Sequence, residues 1–201
     1  MIPVFGISRL RMGLDGSGVR TLVGTAGCPL RCRFCLNPHA WDSSAEAVPY
    51  TPAQLYEAVR VDSLYFQATG GGVTFGGGEP LLHMDGIAEF AALCPAGWSL
   101  WAETALNLPR TAVQRAAEVF DHFVVDIKTT DPALYRRYTG AELAPALGNL
   151  AYLLDTVGPA RVTVRVPCIP GFADEASRRR SADAVRALGA QTVDEFTYIL
   201  R

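Results

Sequence analysis

Apolar and β-branched residues gather in short runs at Val19–Val23, Val73–Phe75, Ser99–Ala102, Phe123–Ile127, Val162–Val166 and Phe196–Leu200. Each run has the length of a strand rather than a helix. Between them, apolar residues recur at helical spacing over Pro52–Gln67, Met84–Leu93, Thr111–Val119, Ala144–Leu154 and Ala176–Leu188. Thr51 before Pro52 has the form of a helix start, and the Asp131-Pro132 step resembles another. Strands separated by single helices pair in parallel through right-handed crossovers. Six strands are too few to close an eight-stranded barrel. The expected fold is therefore α/β: a partial, open (β/α)6 barrel of parallel strands. No repeat, low-complexity tract or linker divides residues 1–201, which read as one domain. In such folds chemistry collects at the carboxyl ends of the strands.

The composition, 49% hydrophobic and 19% charged over 201 residues, is that of a core-rich globular chain and excludes disorder. A net charge of −2 leaves no electrostatic footprint for nucleic acid or anionic lipid. The densest basic run, Arg178-Arg179-Arg180, reads as a solvated helix face. No stretch reaches the roughly 18 to 20 apolar residues of a membrane span, and Met1-Ile2-Pro3-Val4 lacks the form of a signal peptide. A cytoplasmic location is the expectation. Five cysteines, an odd number in an unsecreted chain, argue against a disulfide framework. Cys94 and Cys168 read as buried small hydrophobes.

The other three fall together in Cys28-Pro-Leu-Arg-Cys32-Arg-Phe-Cys35, a C-x3-C-x2-C segment after the first expected strand. Three thiolates leave one corner of a four-iron cluster without a protein ligand, and an open position is what a catalytic metal site needs. The alternative is a structural zinc site completed by a fourth ligand such as His39. One strand later, Val73-Thr74-Phe75-Gly76-Gly77-Gly78-Glu79-Pro80 runs from a strand into glycines and then a carboxylate. Such glycines let backbone approach a ligand, and Glu79 sets an anion where a ligand's ammonium could sit. Alone, this pattern is more commonly a tight turn.

Taken together, these segments resemble the radical S-adenosylmethionine (SAM) superfamily, whose signature is C-x3-C-x-aromatic-C followed by G-G-E. The resemblance implies that Cys28, Cys32 and Cys35 hold a single [4Fe–4S] cluster and that SAM chelates its open iron. It implies Phe34 against the adenine, and Gly77, Gly78 and Glu79 at the methionine amino group. Reductive cleavage of the sulfonium then yields methionine and a 5′-deoxyadenosyl radical.

Asp15-Gly16-Ser17-Gly18-Val19-Arg20, Gly27-Cys28-Pro29-Leu30-Arg31-Cys32 and Asn37-Pro38…Trp41 are similar to the opening of the glycyl-radical-enzyme activating enzymes. Those enzymes take hydrogen from a glycine of a large partner. Asp126-Ile127-Lys128 resembles the family's D-[IL]-K contact with SAM. Arg165, in Val164–Phe172, matches a family arginine near SAM and the bound glycine loop. Asp15 falls in a mouth loop that grips the partner's backbone. A flavodoxin- or ferredoxin-type electron donor is implied as well. Read from the residues alone, Asp15-Gly16 is a tight turn between two strands, Asp126 and Lys128 are a strand-end ion pair, and Arg165 is a structural anchor.

Three features depart from the family pattern. Asn107 stands where an acidic residue often helps Asp126, with backbone at Leu108 and Val124, to hold a monovalent cation. The segment from Trp41 to Pro52 carries no cysteines for further clusters. The sequence also ends at Arg201, at the close of the expected sixth strand, where relatives continue with a histidine-bearing loop and a helix; one side of the site is expected to be more open, or completed by a partner. Other readings are the activase of anaerobic ribonucleotide reductase, a radical SAM enzyme acting on a small molecule or peptide, and a non-catalytic zinc or iron–sulfur module.

Overall fold

The computed structural model describes residues 1–13, 15–42 and 47–199. Among them, β1 (Ile2–Met12), β2 (Val19–Thr25), β3 (Val48–Tyr50), β4 (Gly72–Gly77), β5 (Ser99–Thr104), β6 (His122–Asp126), β7 (Val162–Cys168) and β8 (Thr192–Thr197) form one sheet. Its order is β3-β1-β2-β4-β5-β6-β7-β8, with β2 through β8 of that series all parallel. The helices are α1 (Pro52–Val59), α2 (Ser63–Thr69), α3 (Met84–Leu93), α4 (Arg110–Val119), α5 (Pro132–Thr139), α6 (Ala144–Val157) and α7 (Glu175–Ala187). The six expected parallel strands are all present, and β3 and β8 lie at separate edges, so the barrel is open.

Two strands were not expected. β1 pairs antiparallel with β2, from Val4 opposite Thr25 to Met12 opposite Val19, and β3 pairs antiparallel with β1. Irregular register between Val4 and Gly6 and between Ser8 and Arg11 breaks the two-residue period by which a strand is recognised. Leu10, inside the second irregularity, takes a φ of 55°.

Two expected elements also differ in their bounds. The last strand is Thr192–Thr197 rather than Phe196–Leu200, and Leu200 lies outside the described residues. The expected helix Pro52–Gln67 is divided by a 3-10 turn at Arg60–Asp62. There the buried Asp62 carboxylate accepts from Arg9 Nε at 2.9 Å and Thr21 Oγ1 at 2.8 Å, tying the helical segment to β1 and β2. The Asp131-Pro132 start opens α5, with Asp131 Oδ1 accepting from Leu134 N–H at 2.9 Å.

Alternation along the parallel strands separates two faces. Val73, Phe75, Ala102, Phe123, Val125, Val164 and Val166 point outward to the helices and are fully buried in the main core. The opposite face, with Trp101, Glu103, Asp126 and Arg165, is only partly covered and lines the concave interior. Indole and imidazole of Trp101 and His122 stack there at 4.1 Å, and the Arg20 guanidinium lies 4.7 Å from the Trp101 ring centre.

Candidate active site

The segment carrying the three cysteines follows the carboxyl end of β2 and is pinned by backbone hydrogen bonds on all sides. Ala26 N–H donates to Pro3 O at 2.9 Å and Gly27 N–H to Ala40 O at 2.8 Å. Arg31 and Arg33 N–H donate to the carbonyls of Thr139 and Tyr138 at 2.7 and 3.0 Å. Those carbonyls belong to the last turn of α5, where a helix has acceptors without internal partners. The loop is thus held in place without regular structure of its own.

The glycine run closes the other side. Gly78 N–H donates to Thr25 O at 2.9 Å and Glu79 N–H to Gly27 O at 2.8 Å. A Cβ on Gly78 would meet those two carbonyl oxygens at 2.6 and 2.5 Å, and one on Gly77, whose φ is +88°, would meet the Phe5 ring at 2.6 Å. The glycines therefore let backbone approach backbone, welding β4 to the cysteine loop.

Cys28, Cys32 and Cys35 line one cavity of about 260 Å³ together with Phe34, Gly77, Gly78, Glu79, Asp126, Lys128 and Arg165. Burial pushes the Cys28 thiol up to about 12 and raises Cys32 against the opposing pull of Lys128. The free Cys28 and Cys32 thiols are therefore neutral, and a metal must displace their protons. His39 packs edge-on against Phe5 at 4.9 Å. Among the described residues no three His, Cys, Asp or Glu side chains are placed to hold a single ion. Three soft sulfur donors around a shared space, beside the cation Lys128, suit a negatively charged iron–sulfur cluster. The same lining offers carboxylates and cations to a zwitterionic ligand.

Glu79 is fully buried, and its carboxylate accepts from Thr104 Oγ1 at 2.8 and 2.9 Å, Ala105 N–H at 3.0 Å and Leu81 N–H at 3.3 Å. Burial outweighs these donors and lifts its pKa to about 7, so a neighbouring ammonium would favour its charged form. Asp126 sits at the end of β6. Its Oδ2 accepts from Lys128 Nζ and its Oδ1 from Arg165 Nε, at 2.9 and 2.8 Å. Burial alone would raise Asp126, but the charges of Lys128 and Arg165 hold it down at about 2.

The expected ion pair of Asp126 and Lys128 is therefore present, and Arg165 is anchored as well, while all three still face the cavity. Ile127 is buried, its N–H donating to Arg165 O at 3.0 Å. Asn107 Nδ2 donates to Tyr135 Oη at 3.1 Å and to Glu142 O at 2.6 Å.

Asp15 is not placed with these residues. It lies between β1 and β2, at the end of β2 away from the cysteines. Asp15 is 6% exposed, pairs with Arg11, and its carbonyl accepts from Thr74 Oγ1 at 2.9 Å. Cys94 and Cys168 are half-buried rather than buried, and Cys94 Sγ donates to Phe90 O at 3.4 Å.

Several lining residues escaped the sequence reading. Glu103 accepts from Arg165 Nη1 at 3.3 Å, and strand alternation from Trp101 could have put it on the inner face. Tyr198 accepts from Lys128 Nζ at 2.9 Å, and its N–H donates to Cys168 O at 2.9 Å. Placing it within a strand concealed it.

The comparisons agree with this geometry. The model of the radical SAM superfamily matches residues 22–178. The chain is 32% identical to the pyruvate formate-lyase-activating enzyme of Listeria monocytogenes over 81% of its own length and 67% of that protein's. It is 27% identical to the choline trimethylamine-lyase activating enzyme of Oleidesulfovibrio alaskensis, over 85% and 73%. A solved domain of a pyruvate formate-lyase-activating enzyme from Bacteroides vulgatus superposes with a TM-score of 0.55 at 25% identity, covering 64% of this chain and 81% of that one. A family match spanning the cysteine loop, the glycine run and the Asp126–Arg165 pair leaves one assignment: this chain belongs to the radical SAM superfamily.

Proposed function

We propose that the chain is a glycyl-radical-enzyme activating enzyme, acting as one unit over residues 1–201. It cleaves SAM reductively and takes hydrogen from a glycine of a large partner enzyme. The observation that carries this reading is the single cavity shared by the three cysteines and the paired charges of Asp126, Lys128 and Arg165. The names of the relatives, both activating enzymes, support it.

When bound, the cluster supplies the single electron that breaks the SAM sulfonium. The chain's own residues do the rest. Cys28, Cys32 and Cys35 give thiolates. Phe34, packed edge-on to Phe172 at 5.8 Å, makes an apolar wall that keeps water from the cavity. Glu79 and Lys128 offer opposite charges to the methionine ammonium and carboxylate. Arg165 lines the cavity from β7 and would meet the partner's glycine loop there; Asp15, before β2, is the residue the resemblance assigns to the grip on the partner's backbone. A one-electron protein donor of the flavodoxin or ferredoxin type would reduce the site.

Anaerobic reconstitution with iron and sulfide tests the reading. A brown protein that yields 5′-deoxyadenosine under dithionite is expected, with colour and cleavage lost in Cys28→Ala, Cys32→Ala and Cys35→Ala and kept in Cys94→Ala. Electron paramagnetic resonance of a candidate partner should then show a glycyl radical. A colourless zinc protein would retire the proposal.

A further inference from the structure

Tyr138 is 2% exposed, and its hydroxyl is buried with no hydrogen-bond partner among the described residues. A buried hydroxyl of this kind is costly, and native structures contain few of them. Its surroundings are specific. The ring packs edge-on to Phe34 and Phe172, at 6.2 and 5.3 Å, in a small apolar cluster against which Cys32 also packs. The carbonyls of Tyr138 and Thr139 accept from the N–H groups of Arg33 and Arg31, the two neighbours of Cys32. The end of α5 therefore grips the chain on both sides of that cysteine.

We infer that Tyr138 is a positioning and tuning residue for the iron–sulfur site: its hydroxyl donates to sulfur at the Cys32 corner once the cluster is in place. This rests on the reading that Cys32 is a cluster ligand. Hydrogen bonds to cluster sulfur favour the reduced, more negative state and raise the reduction potential. The donor is held rigidly by ring packing and by two backbone bonds, so the bond forms without a further ordering cost.

The test is Tyr138→Phe in the reconstituted full chain, with the midpoint potential read by a redox titration followed by electron paramagnetic resonance. Full iron content is expected, with a lower potential. A charge-assisted bond of ordinary strength changes the reduction equilibrium about tenfold, which is about 59 mV for a one-electron couple. An unchanged potential at full iron content overturns the inference, since the hydroxyl then meets something other than the cluster.

If the variant fails to hold iron, the wild-type protein decides. Electron–nuclear double resonance should show an exchangeable proton coupled to the cluster, removed in deuterium oxide and restored in water. Its absence also overturns the inference. A wild-type chain that holds no iron and leaves SAM intact removes the functional reading and this inference with it. A wild type that cleaves SAM while Tyr138→Phe keeps its potential removes this inference alone.

Discussion

Asp126 and Arg165 stand opposite each other in register on neighbouring parallel strands, and Arg165 Nε donates to Asp126 Oδ1 at 2.8 Å. The pairing is part of a longer series. Arg165 also reaches Glu103, and Asp126 also receives Lys128, which in turn donates to Tyr198. Asp126 is the only member of that series shared by both cations. Replacing it leaves Lys128, 9% exposed at its side chain, without its carboxylate.

Asp126→Asn is therefore expected to destabilise the chain. Hydrogen bonds to charged groups are worth about 1.5 to 3 kcal/mol, and partial solvent access to Arg165 and Asp126 places the effect at the lower end. Urea unfolding of Asp126→Asn, Arg165→Gln and the double variant should reveal a coupling of about 1 kcal/mol. Additive effects would show that the two side chains are only neighbours.

Glu79→Gln has two expected consequences. Both carboxylate oxygens accept hydrogen bonds from the protein, so an amide must turn its NH2 toward at least one donor. Loss of about 1 to 3 kcal/mol in unfolding free energy follows. Removing the charge also weakens SAM binding, by roughly 10- to 100-fold for a lost charge-assisted contact, with iron content nearly unchanged. Isothermal titration separates the two, and an unaltered SAM affinity would make Glu79 purely structural.

Gly78→Ala touches no thiol, yet it is expected to impair iron loading. The added methyl would press on the carbonyl oxygens of Thr25 and Gly27, the residues leading into Cys28. Overpacking of this sort costs about 1 to 3 kcal/mol, and here the yielding partner is the backbone that aims the cysteine. Iron bound per chain after reconstitution is the measurement. Loading equal to the wild type would show that the loop relaxes freely.

Asp62 predicts a pH dependence away from the site. Burial would raise its pKa, but the hydrogen bonds from Arg9 and Thr21 and the charge of Arg9 outweigh it and hold the value below the ordinary one. A depressed carboxylate contributes stability above its unfolded value, about 3.9, and loses it as pH falls through the lower folded value. Asp62→Asn should therefore melt below the wild type at pH 6, with the gap closing toward pH 2. A gap that persists in acid would mean that packing, not charge, holds the helical junction to β1.

Much of this protein was determined by local sequence. Six parallel strands, the start of α1 at Thr51-Pro52, the limits of α3 and the C-x3-C-x2-C and glycine segments follow from hydrophobic period, capping residues and short-range spacing, which act within a few residues. Tertiary structure decided the rest, because it depends on partners far apart in the chain. β1 is a strand by virtue of its pairing with β2 and β3, despite bulges that hide its period. Asp62 is buried at the break between two helices, where Arg9, 53 residues away, binds its carboxylate. Glu79 is a buried acceptor because Thr104 lies on the next strand, and Tyr198 reaches Lys128 across 70 residues. Alternation along a strand says which side chains share a face, but only the curvature of the assembled sheet turns that face into a cavity.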